Sequence, residues 1–137
     1  VTPALDAIIE ATVYLSGVGA DNVNCAAPHS FYNGVTSLGG HEAYHGNCVA
    51  FGTLIQLTLE CADKAEFEDI QNFCLEVGLP ITLAELGDFS DEDLHTIAKN
   101  ACVKGETIHN LAGDVTPDEL YAAIIATDAL GKARLGK

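Results

Sequence analysis

Helix punctuation leaves this chain little choice of fold class. The stretch "TPALDAIIEATVYLSG" opens on Thr2, whose hydroxyl can cap free backbone N–H groups. Pro3 follows at the first helical position, where a missing N–H costs nothing. Leu5, Ile8, Ile9, Thr12 and Leu15 then fall on one face, and Gly17 is expected to end the helix. Near the other end, "TPDELYAAIIATDALGKA" repeats the device, with Thr116 as cap, Pro117 first and Glu119 completing a capping box. Its expected buried stripe is Leu120, Ile124, Ile125 and Ala129. No segment shows sustained alternation of apolar and polar residues. The prediction is an all-α helical bundle forming one domain over residues 1–137.

The segments between read the same way. Asp21 and Asn22 offer caps for a second helix running to about Leu38, but Pro28 interrupts it, so the helix begins near Ala26 or Ala27 or kinks there. Gly39 and Gly40 end it. A third helix starts near His45 and runs through "NCVAFGTLIQLTLECA", apolar around most of its circumference and therefore central. "KAEFEDIQNFCLEVG" places Phe67, Ile70, Phe73, Cys74 and Val77 on a stripe. "LPITLAELG" is a short helical turn. Ser90 with Asp93 opens a further helix to about Val103, stopped by Gly105.

Charge and cysteine content exclude several functions. The net charge is −14, with only six Lys and Arg. Phosphate binding needs clustered cations, so nucleic acid and anionic membranes are not expected partners. No apolar run is long enough to cross a bilayer, since residues 49–59 are broken by Gly52, Thr53, Gln56 and Thr58. The five cysteines, Cys25, Cys48, Cys61, Cys74 and Cys102, are odd in number, widely spaced and free of CxxC pairs. They read as reduced thiols buried in helices, and a cytoplasmic location is expected. The chain contains no Met and opens directly on a helix start, so it is expected to be a piece of something longer. It has no Gly-rich dinucleotide fingerprint and no P-loop.

Three of the five histidines, His29, His41 and His45, lie within residues 28–46, "PHSFYNGVTSLGGHEAYHG". A catalytic metal site wants neutral imidazole nitrogens, a carboxylate and one open position. His29 on the second helix and His45 at the start of the third can meet if the double-glycine turn folds the helices together. Asn33 sits one turn after His29 and can orient a ligand or substrate. The spacing matches neither a zinc finger nor HExxH, and a solvated corner at the turn remains the other reading. His41 is expected to be exposed beside the turn. Cys48 is expected in the core, Phe51 and Thr53 in the core or along a cleft, and His109 in a structural role such as bonding terminal carbonyls.

The chain resembles the C-terminal helical domain of glycerol dehydrogenases, in the metal-dependent (iron-type) alcohol dehydrogenase superfamily. The resemblance rests on "VTPALDAIIEATVYLSGVG", "AAPHSFYNGVTSL", "HGNCVAFGTLIQLTLE", "VGLPITLAELG" and "GETIHNLAGDVTPDELYAAIIATDALG", in that order. It implies the second domain of a dehydroquinate synthase-like two-domain enzyme. It also implies an NAD-binding lobe ahead of Val1 and oxidation of glycerol to dihydroxyacetone by a homo-oligomeric full-length enzyme. The family's metal, zinc with iron as the alternative, is held by one Asp and two His. Carried over, the histidines fall on His29 and His45, and the Asp lies upstream of Val1. That leaves Asp21 and Glu42 as the carboxylates flanking the ligand segments within this chain. There are departures. The family usually has a second histidine three places after the first ligand, where this chain has Tyr32. Small residues, often paired glycines, usually precede the ligand, where this chain reads "VNCAAP". The loop between the ligands is one residue shorter than usual. The rival reading is a free-standing helical interaction or structural domain without catalysis.

Overall fold

The computed structural model describes residues 2–40 and 43–136. Among the described residues every regular element is helical. In chain order they are α1 (Pro3–Glu10), a π-helical stretch (Ala11–Leu15), α2 (Ser16–Val23), α3 (Ala27–Thr36), α4 (His45–Leu59) and α5 (Lys64–Val77), then a 3₁₀ turn (Leu83–Glu85), α6 (Asp91–Ala101), a second 3₁₀ turn (Thr107–Asn110) and α7 (Pro117–Arg134). No helix among them is long and apolar enough to cross a membrane.

The predicted caps hold the helix starts. Thr2 accepts from the Leu5 N–H, and Ser90/Asp93 and Thr116/Glu119 form reciprocal capping boxes. Asp63, at the start of α5, accepts from the Ala65 N–H. Pro28 sits in the first turn of α3, so the second helix begins at Ala27 rather than kinking.

Helices α3, α4, α6 and α7 enclose the main core, with α3 packed on α4 and α6, and α7 packed on the same two. Phe31, Phe51, Ile55, Ile97, Leu120 and Ile124 are fully buried there. Two glycines let α3 approach its neighbours closely. A Cβ at Gly34 would meet the Ile97 carbonyl oxygen of α6 at 2.5 Å. One at Gly52 would meet the Pro28 Cα of α3 at 2.6 Å. A smaller cluster of Leu54, Cys74 and Ile81 joins α5 to the back of α4.

Several expectations fail for tertiary reasons. Gly17 does not end the first helix. The backbone stays helical to Val23, and Asn24, at φ 62°, breaks it. Asp21 and Asn22 therefore lie inside α2 and are not caps, with Asn22 Nδ2 donating to the Val18 carbonyl at 2.7 Å. On α5 Cys74 is buried and Phe67 and Ile70 pack against the same cluster as expected, but Gln71 is buried too, whereas Phe73 and Val77 are more than half exposed. On α7 they are Leu120, Ala123, Ile124, Thr127, Asp128 and Gly131, while Ile125 and Ala129 face outward. All five cysteines are free, but only Cys48 and Cys74 are buried, and Cys61 is exposed just past α4. The apolar face of the first helix is uncovered. Leu5, Ile8, Ile9, Val13, Leu15 and Val18 are each 43–72% exposed.

Candidate metal centre

His29 stands in the first turn of α3 and His45 opens α4. The turn between them carries Gly39 at φ +66° and Gly40 at φ +84°, a left-handed backbone that glycine adopts without steric cost. The chain returns so that α4 packs along α3, and the two imidazole ring centres lie 5.3 Å apart, tilted by 55°. His29 is half-buried and His45 exposed. Burial, and secondarily the neighbouring His45, lower the His29 pKa below its ordinary 6.5. Both effects favour the neutral form, which offers a lone pair.

That spacing has a chemical meaning. Two imidazoles bound to one tetrahedral zinc at about 2.0–2.1 Å per bond have ring centres roughly 5 Å apart. The observed ring-centre distance of 5.3 Å is close to that value. Among the described residues no third His, Cys, Asp or Glu completes a cluster. Asp21 lies exposed within α2, and His41 and Glu42 lie outside the described residues.

A hydrogen-bonded clamp holds the helix that carries His29. Ser30 Oγ is fully buried, accepts from the Ile108 N–H at 2.7 Å and lies 3.0 Å from Thr107 Oγ1. Thr107 Oγ1 donates to the Ala26 carbonyl at 2.8 Å, and Asn110 Nδ2 donates to the Cys25 carbonyl at 2.7 Å. Asn33, expected to orient a ligand, instead donates to Glu106 Oε2 at 2.9 Å. The clamp lies within "GETIHN". The stretch is visible in the sequence, but the partners are more than 70 residues away.

His109 plays the structural part expected of it, its Nε2 lying 3.2 Å from the Val103 carbonyl past the end of α6. His95 stacks on Tyr121, 4.0 Å between ring centres, away from the pair. Cys48 is fully buried, and burial pushes its thiol up to about 11, so it is a core residue. Phe51 is likewise core, its ring against Phe31. Thr53 Oγ1 is turned back onto the Val49 carbonyl. Tyr32 meets His45 edge-on at 4.6 Å between ring centres, a contact the sequence did not disclose. Beside His29 opens a cavity of about 500 Å³, with Ser16, Asn24, Gln56, Glu60 and Asn110 among its polar walls.

No family model matches the chain. Individual proteins do. It is 47% identical to a glycerol dehydrogenase of Citrobacter freundii over 140 residues, covering 100% of this chain and 38% of that protein. It is 47% identical to a glycerol dehydrogenase of Pseudomonas putida over 135 residues, covering 96% of this chain and 37% of that one. A crystal structure of a probable glycerol dehydrogenase from Sinorhizobium meliloti 1021 superposes with a TM-score of 0.89 at 41% identity, covering 97% of this chain and 38% of that chain. The chain thus spans under two-fifths of the length of the proteins it matches. In sequence and in helical fold, the chain is homologous over its whole length to the C-terminal part of these glycerol dehydrogenases.

Proposed function

We propose that the full-length protein oxidises glycerol to dihydroxyacetone with NAD, and that this chain supplies one wall of the active-site cleft and two metal ligands, His29 and His45. The observation that carries the proposal is the pairing of those rings at a spacing suited to one tetrahedral ion. The relatives' names supply glycerol as the substrate of a dehydrogenase, and the family resemblance supplies NAD and dihydroxyacetone. Bound there, zinc, with iron as the alternative, would supply Lewis-acid polarisation of a substrate hydroxyl.

The chain's own residues do the rest of this part. Burial favours the neutral form of His29, the form that coordinates a metal. The Ser30–Thr107–Ile108 clamp fixes the start of α3 and with it the position of His29. The cavity beside His29 has polar walls and room for a three-carbon polyol. NAD is assigned to residues outside this chain, which has no dinucleotide fingerprint. The remaining metal ligand, the family's carboxylate, is assigned there too, and the full-length enzyme is proposed to be a cytoplasmic homo-oligomer.

Calorimetric titration of the chain with zinc tests the ligand pair. Binding weaker than in the full-length enzyme is expected, abolished in His29→Ala and in His45→Ala. Unchanged affinity in the double variant would show that these residues are not the site. The 137-residue chain alone should not reduce NAD with glycerol, and reduction above a buffer control would overturn the assignment of NAD to residues elsewhere.

A further inference from the structure

We infer that Tyr32 is a positioning residue for His45: its ring, set edge-on against the imidazole, holds His45 in the orientation that lets it share a metal with His29. The inference rests on the two-histidine reading above and assigns a role to a residue that does not itself touch the metal.

His45 is exposed and opens its helix. Among the described residues no hydrogen bond holds its ring, and its ring neighbours are His29 and Tyr32. An exposed imidazole with two rotatable bonds otherwise samples several rotamers, and ordering it for coordination costs entropy. Tyr32 is placed to prevent that. It follows His29 by three residues on α3, so both side chains rise from one helix face toward the start of α4. Its body is half-buried against the main core, which fixes the ring from behind. Its centre lies 4.6 Å from that of His45 with the planes at 89°, the edge-to-face geometry that aromatic rings favour. His45 therefore sits between two rings of α3, one turn apart, one a ligand and the other its orienter. The tyrosine hydroxyl plays no part, since the contact is made by the ring.

The test is zinc titration of the chain carrying Tyr32→Phe, Tyr32→Leu or His45→Ala, at a temperature where circular dichroism shows each variant folded. His45 side-chain couplings are measured by NMR in the metal-free state. Tyr32→Phe should bind as the parent does and keep one His45 rotamer. Tyr32→Leu keeps an apolar side chain against the core without an aromatic ring. It should bind about three- to tenfold more weakly, the scale of an aromatic pair, and show averaged His45 rotamers. Parent-like affinity in Tyr32→Leu, or Tyr32→Phe as weak as Tyr32→Leu, would overturn the inference. Equal binding by the parent and His45→Ala would instead remove the two-histidine reading beneath it.

Discussion

Replacing Gly52 by alanine should disturb the fold and the metal centre together. A Cβ at this position lies 2.6 Å from the Pro28 Cα, 3.1 Å from its carbonyl oxygen and 3.3 Å from its carbonyl carbon. All three are backbone atoms, so no flexible side chain can swing aside. Restoring the closest distance from 2.6 Å to the 3.4 Å where ordinary contact begins moves α3 away from α4 by about 0.8 Å. Alanine gains about 1 kcal/mol over glycine in a helix interior. Overpacking of this kind costs about 1–3 kcal/mol, and a rigid clash belongs at the upper end. The net expectation is a loss of about 1–2 kcal/mol, or roughly 3–8 °C in Tm for a domain of this size. Pro28 adjoins His29, so the same displacement widens the 5.3 Å ring spacing and zinc affinity should fall with stability. Urea unfolding and zinc calorimetry on the same preparation read both effects. A variant as stable as the parent, with unchanged zinc affinity, would refute the argument that the Gly52–Pro28 contact sets the ligand spacing.

Further outcomes follow from other contacts. Asp128 is buried on α7, accepts from the Leu83 N–H at 2.8 Å and is paired with Lys132. Asp128→Ala strands that N–H and should cost about 1–3 kcal/mol in urea unfolding, while Asp128→Asn, which keeps an acceptor, recovers most of it. Amides of α1 should exchange with solvent far faster than those of α4 in native-state hydrogen exchange, because α1 buries no side chain; equal protection would show a covering contact in solution. The unfolded chain protonates His29 near about 6.5 and the folded chain only at lower pH, so stability present above that value should decline as pH falls through the folded pKa. His29→Gln should flatten that part of the stability–pH curve. Zinc affinity should weaken over the same acid range, because protonated imidazole cannot coordinate.

The helix starts were legible in the chain because capping is local. Ser90 and Thr116 find their partners three residues on, within the same first turn. Pro28 could mark the start of α3 for the same reason. Side-chain direction along the helices was not local. Phe73 and Gln71 are both on α5, and sequence periodicity chose the phenylalanine. The packing of α5 against Leu54 and Ile81 buries the glutamine instead. Gly17 looked like a stop, but a glycine ends a helix only where the backbone turns left-handed, and here Asn24 makes that turn. At the candidate metal centre the sequence, read through its family resemblance, placed His29 and His45 on helices flanking one turn. The 5.3 Å spacing, the close approach of Gly52 to Pro28 and the Tyr32–His45 contact belong to the packing of α3 on α4. The clamp from Glu106 to Asn110 reaches α3 across more than 70 residues of chain. Short-range hydrogen bonds are written in neighbouring residues, whereas contacts between distant segments exist only once the core has closed and fixed which faces meet.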